Sequence, residues 1–208
     1  MRKPVLLLLI ALASPLLMGA GQPVPTRPVE FSDADKAELD RISAYLNSVT
    51  TLKGDFVQLD PNGGLEQGSF AIFKPGKMRF AYRQPSPTLI VSDGRTVAVA
   101  NTQLNTVDRY ALSDTPLDLI LGDKIDLSHN TSVISITHDG GNVVVNARTS
   151  NNRSQANIAI VFAQPELELR EWTVIDNQGQ KTTTALRDVA AGTPLDPALF
   201  LLPVKHKP

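Results

Sequence analysis

The chain has 208 residues, no cysteine, and 20 basic against 21 acidic residues, for a net charge of −1. Without cysteine there are no disulfides, no thiolate metal sites, no cysteine nucleophile and no N-terminal cysteine to receive lipid, so stability has to come from burial. The charge balance excludes the basic footprint of a nucleic-acid-binding protein, and the length suits one domain with a sizeable core.

Arg2 and Lys3 precede an apolar run from Val5 to Met18, which gives way to Gly19, Ala20 and Gly21. That order is expected of a cleavable secretory signal peptide over residues 1–21, cut after Gly21 or, alternatively, Ala20. The run is interrupted by Ser14 and Pro15 and falls short of the ~20 residues a spanning helix needs. Export places the mature protein in the periplasm. Residues 22–31, with prolines at 23, 25 and 28, read as a flexible arm. The folded domain is expected over residues 32–208.

Ser32 with Asp35 three residues later is a capping signal, and Leu39, Ile42, Leu46 and Val49 then recur at helical spacing. One amphipathic helix is expected from about Asp33 to Ser48. Beyond it the period changes to two. Strands are expected at Leu52 to Leu59, Leu65 to Lys74, Lys77 to Arg83, Thr88 to Ser92, Thr96 to Ala100 and Thr106 to Tyr110. Asp60-Pro61-Asn62-Gly63-Gly64, Pro75-Gly76 and Asp93-Gly94 punctuate them as turns.

Pro116, followed by Leu117, Leu119, Ile120 and Leu121 and ended by Gly122, reads as a short helix. Strands resume at Ser132 to Thr137, Val143 to Thr149, Asn157 to Ala163, Leu167 to Ile175 and Gln180 to Asp188. About eleven strands result, joined by connections too short for crossover helices, so neighbours are antiparallel. A mainly β fold follows. Periodicity leaves open a sandwich, a closed barrel, or one curved sheet with the helices on its concave face.

Chemistry-bearing motifs are missing. His129, His138 and His206 have no partner at metal-site spacing, and no nucleophile elbow or phosphate-cradling glycine pattern occurs. No metal, no cofactor and no enzymatic activity are expected. The informative feature is apolar alternation: Phe70 and Ile72, then Met78, Phe80 and Tyr82, then Leu89 and Val91, with Lys77, Arg79 and Arg83 at the intervening positions of one strand. Such a strand has one wet and one apolar face, and the apolar face serves equally as core or as a binding surface.

Three blocks carry a family likeness: Phe56-Val57-Gln58 after the amphipathic helix; Gly68 to Phe80, reading GSFAIFKPGKMRF; and Pro85 with Leu89-Ile90-Val91-Ser92-Asp93-Gly94-Arg95. Together with Thr115 to Leu121 and the pattern from Leu186 to Phe200, they resemble the LolA family of periplasmic carriers of outer-membrane lipoproteins. The likeness covers nearly all of the mature chain. It implies a single strongly curved antiparallel sheet, an unclosed β-barrel, with an N-terminal amphipathic helix and a short lid helix over a hydrophobic cavity.

Carried over position by position, the resemblance implies an acyl-chain cavity lined by Leu46, Phe56, Phe70, Ile72, Met78, Phe80, Tyr82, Leu89, Val91, Leu117, Ile120 and Leu121. Family members often have Arg directly before the Pro of the block, where its fork holds the lid; here Lys74 is the latch candidate. The implied partners are lipid-modified proteins, an inner-membrane lipoprotein-releasing ABC transporter, and an outer-membrane receptor or the outer membrane itself. The carrier is expected to be a monomer. The alternative is a periplasmic lipid or glycolipid binding or sensing protein of the same fold.

Overall fold

A computed structural model describes residues 30–151 and 154–204, with side chains at 149–151, 154 and 155 left aside. The expected signal peptide, nearly all of the expected arm, and His206 lie outside the described residues.

Helix α1 spans Asp33–Ser48 and begins as expected: the Ser32 hydroxyl accepts from the Asp35 amide, and the Asp35 carboxylate accepts from the Ser32 amide and hydroxyl. Eleven strands follow: β1 Thr51–Leu59, β2 Leu65–Phe73, β3 Lys77–Tyr82, β4 Thr88–Asp93, β5 Thr96–Asn101, β6 Thr106–Ala111, β7 Val133–Asp139, β8 Asn142–Asn151, β9 Ser154–Ala163, β10 Glu168–Ile175 and β11 Lys181–Ala191. Between β6 and β7 lie a 3-10 turn, Leu112–Asp114, and the four-residue helix α2, Asp118–Leu121, which ends at Gly122. A second 3-10 turn, Pro197–Phe200, follows β11.

All eleven strands form one antiparallel sheet in the order β6-β5-β4-β3-β2-β1-β11-β10-β9-β8-β7. β6 and β7 are its two unjoined edges, so the sheet is not closed. It is nevertheless strongly curled. Phe80 on β3 and Trp172 on β10 sit four places apart in this order, about 19 Å in a flat sheet, yet their rings meet edge to face at 5.9 Å. A β-bulge contributes to the bend where β1 meets β11, between Lys53 and Asp55, with Asp188 in the left-handed region at φ 50°. Pairing resumes beyond the bulge, which is why β11 runs on to Ala191 instead of stopping at Asp188.

The hairpin turns alternate between two ends of the curled sheet. Turns β1–β2, β3–β4 and β10–β11 lie at one end, and turns β2–β3, β4–β5 and β9–β10 at the other. The core sits on the concave face, where Leu39, Ile42 and Leu46 of α1 pack against residues from both halves of the sheet. No helix among the described residues is long and apolar enough to cross a membrane.

Candidate functional site

The β2–β3 register sets Phe70 opposite Phe80, Ile72 opposite Met78 and Gly68 opposite Tyr82, so these residues share one face. On β1, Phe56 lies opposite Gly68 and Gly54 opposite Phe70. Both glycines are dictated by space: a Cβ on Gly68 would collide with the Phe56 ring and the Ala81 carbonyl, and one on Gly54 would meet the Arg187 oxygen at 2.5 Å and the Phe70 ring at 3.0 Å. Bare backbone lets an aromatic cluster form on the concave floor. The Phe56 ring lies 5.0 Å from Phe80 and 4.9 Å from Tyr82, and Phe70 stacks on Phe80 at 5.7 Å.

Ten of the twelve expected lining residues gather in one apolar cluster under the helices: Leu46, Phe56, Phe70, Ile72, Met78, Phe80, Ile120 and Leu121 are buried in it, with Tyr82 and Leu117 packed against it. The other two do not. Leu89 pairs with Ala81 and Val91 with Arg79, which puts both on the convex face. β4 turns Ile90 and Ser92 toward the concave side instead, because they pair with Phe80 and Met78. Leu89 and Val91 are apolar because a second cover lies on that side. The segment after β11 brings Phe200 to 6.1 Å from Phe73, and Arg79 and Arg109 donate to the carbonyls of Leu199 and Pro203. A groove of about 390 Å³ there is lined by Leu89, Ala100, Val107 and Leu202 to Val204.

Half of the concave face was not anticipated. Val143, Val145 and Ala147 of β8, Ile158, Ile160 and Phe162 of β9, Trp172 of β10 and Leu186 of β11 complete the cluster. The signal for them was period-two alternation in both β8 and β9, the same signal that marked β2 and β3.

α1 is tied down by polar contacts along both flanks. Asn47 exchanges two hydrogen bonds with the Ile125 backbone (2.8 and 3.0 Å), the Leu127 amide donates to the Ser43 hydroxyl (2.9 Å), and the Ser128 hydroxyl donates to Asp40 (2.5 Å). On the other side, Gln164 donates to Glu38 (2.9 Å) and the Leu169 amide to the Tyr45 hydroxyl (3.0 Å). α2 is held at the same end of the sheet by the Gly76 amide, which donates to the Leu121 carbonyl at 2.8 Å.

Lys74 donates from Nζ to the Leu46 carbonyl at 2.6 Å. It therefore grips the C-terminal turn of α1, which contains no basic residue of its own and whose carbonyls lack helical partners. The ammonium takes one carbonyl, and it belongs to α1. Burial lowers the Lys74 pKa from 10.5 to about 8, opposed by the attraction of Asp123. At the opposite end of the cluster, burial and then the charge of Glu66 push the Tyr82 phenol up to about 12.

A helix-covered, aromatic-floored concave face on an unclosed sheet is joined by a match to the family model described as outer membrane lipoprotein carrier protein LolA, over residues 47–202. The chain belongs to the LolA family. Outer-membrane lipoprotein carrier proteins of Methylococcus capsulatus and Azotobacter vinelandii are each 28% identical to it, over 81% of this chain and 85% of theirs. Among solved structures, a LolA superfamily protein from Nitrosomonas europaea is similar at a TM-score of 0.41 and 11% identity, over 78% of this chain and 97% of that one. So distant a superposition adds nothing to the sequence match.

Proposed function

We propose that this LolA-family protein is a periplasmic carrier, not an enzyme, that takes up the acyl chains of lipid-modified proteins between α1 and the concave face and conveys them from the inner to the outer membrane. The observation that carries this is the helix–sheet interface itself. It is apolar throughout its centre, and its perimeter consists of separate hydrogen bonds that water can replace. The relatives' names, lipoprotein carrier proteins, support the same reading.

The cluster is packed, so acyl chains gain room only by displacing α1. That makes the carrier reversible. Each methylene taken from water contributes ~0.8 kcal/mol, so one long chain alone would be held by roughly 10 kcal/mol or more, too tightly for a shuttle. The burial that α1 gives up on opening offsets much of this, and a receiver then wins the chains by a modest difference in affinity. The donor is proposed to be the inner-membrane lipoprotein-releasing transporter, and the acceptor an outer-membrane receptor or that membrane itself.

Native mass spectrometry of the protein purified from its own periplasm tests the proposal. A bound acylated protein is the expected result. Bound glycolipid would replace the carrier reading with that of a glycolipid-binding protein, and turnover of a soluble substrate would overturn both.

A further inference from the structure

Both helical covers are fastened at the end of the curled sheet where turns β2–β3 and β9–β10 lie, through Lys74, Gly76 and Gln164. The opposite end of the concave face carries polar side chains directly beyond the aromatic floor. The Tyr82 hydroxyl donates to Gln58 Oε1 at 2.8 Å, and the Thr184 hydroxyl donates to the same oxygen at 3.4 Å. Registers place all three on the concave side, since Gln58 pairs with Thr184 and Phe56, two residues before it, pairs with Gly68 opposite Tyr82. Thr184 is 4% exposed, so this is a built feature and not a surface accident.

In this arrangement the Gln58 amide oxygen accepts from both hydroxyls. With its oxygen taken by two hydroxyls, both Nε2 protons are left without a protein acceptor among the described residues. Nε2 is not sealed off either, because among the described residues the one fully buried side-chain polar atom without a partner is Thr51 Oγ1. Beside Gln58, and on the same face by register, stands the carboxylate of Glu66.

We propose that Gln58, positioned by Tyr82 and Thr184, together with Glu66 forms a specificity rim that reads the neutral linkage joining acyl chains to their cargo. This rests on the carrier reading and deepens it. The Gln58 amide donates to an ester carbonyl, Glu66 accepts from an acyl-amide N–H, and the Glu66 charge repels lipids that end in a carboxylate or phosphate. The chains beyond the linkage lie on Phe56, Phe80 and Trp172, which meet the rim through the Phe56–Tyr82 contact.

The test compares three probes on the full protein by displacement of a fluorescent acyl reporter: a tripalmitoylated cysteinyl-triserine amide, its ether-linked analogue lacking the ester carbonyls, and palmitate. Wild type is expected to prefer the ester to the ether by about tenfold, the worth of one net hydrogen bond to a buried group. Gln58→Leu should abolish that ratio and Tyr82→Phe should reduce it, because the amide then loses its restraint. Glu66→Gln should narrow the preference for the ester peptide over palmitate by about tenfold. Tyr82→Phe and Glu66→Gln keep the shape of their side chains, so they carry the test if Gln58→Leu fails to fold. Unchanged ratios in folded variants would overturn the rim while leaving the carrier intact. A wild-type protein that binds none of the three probes would instead remove the carrier reading.

Discussion

The two faces of β2, β3 and β4 are both covered, but by different devices. On the concave side, α1 presents Leu39, Ile42 and Leu46 and is bordered by hydrogen bonds from Asp40, Ser43, Tyr45 and Asn47 to other segments. On the convex side, one aromatic plug, Phe200, sits against Phe73 while Arg79 and Arg109 clasp the segment's carbonyls. The difference separates two jobs that burial alone does not distinguish. On the carrier reading proposed above, the cover joined by many exchangeable polar bonds is the one that lifts, and the plug stays in place while that happens.

Paired truncations probe this contrast most strongly. Phe200→Ala and Phe80→Ala should each lower unfolding stability by about 3–5 kcal/mol in denaturant titrations, the usual cost of emptying a buried aromatic site. They should part company in acyl binding. Folded Phe200→Ala is expected to keep wild-type affinity for the tripalmitoylated peptide, whereas Phe80→Ala is expected to lose at least tenfold. Equal losses in the two variants would break the distinction between the covers.

The Lys74 contact gives a smaller effect. Lys74→Met removes the donor to the Leu46 carbonyl, so loading should speed up several-fold in stopped-flow uptake of the peptide, with a modest loss of stability. Lys74→Arg, whose fork can reach further carbonyls, should slow it. The same residue sets a pH dependence. Its pKa is about 8 when latched and near 10.5 when solvated, so opening takes up a proton between these values. Raising the pH from 8 to 10.5 therefore favours the latched form, and lowering it below 8 removes that advantage. Uptake by wild type is expected to be slower at pH 10 than at pH 7.5, and Lys74→Met should lose most of this difference.

The smallest effect concerns α1 by itself. Ser32→Ala removes the N-cap and should cost about 1 kcal/mol, read as a drop in melting temperature and faster amide exchange in the first turn of α1.

Much of this organisation was legible in the sequence. The capping signal at Ser32 placed α1 at its observed limits, and turn residues such as Asp60 and Asp93, whose carboxylates accept from nearby backbone amides, placed the hairpins. These are local signals, carried by residues within a few positions of the structure they specify. Leu89 and Val91 show where local signals stop. Alternation says that a strand has two faces, but which one is concave depends on register with β3 and on a C-terminal segment more than a hundred residues away. The part of the concave cluster on β8 and β9 was hidden for a related reason: its alternation was visible, yet only curvature brings it against α1. Lys74 was singled out in the sequence, but its contact with the Leu46 carbonyl was not, since a flexible stem does not announce which carbonyl it reaches.

The central claim, that acyl chains enter by displacing α1 from the sheet, has a direct test because the chain lacks cysteine. Asp40 on α1 and Ser128 on the facing segment already touch through their side chains, so the pair Asp40→Cys and Ser128→Cys can be oxidised to tie α1 down. Oxidised protein is expected to bind no tripalmitoylated peptide, and reduction should restore uptake to the level of the single variants. Full-affinity binding by protein whose disulfide is verified by mass spectrometry would contradict the claim.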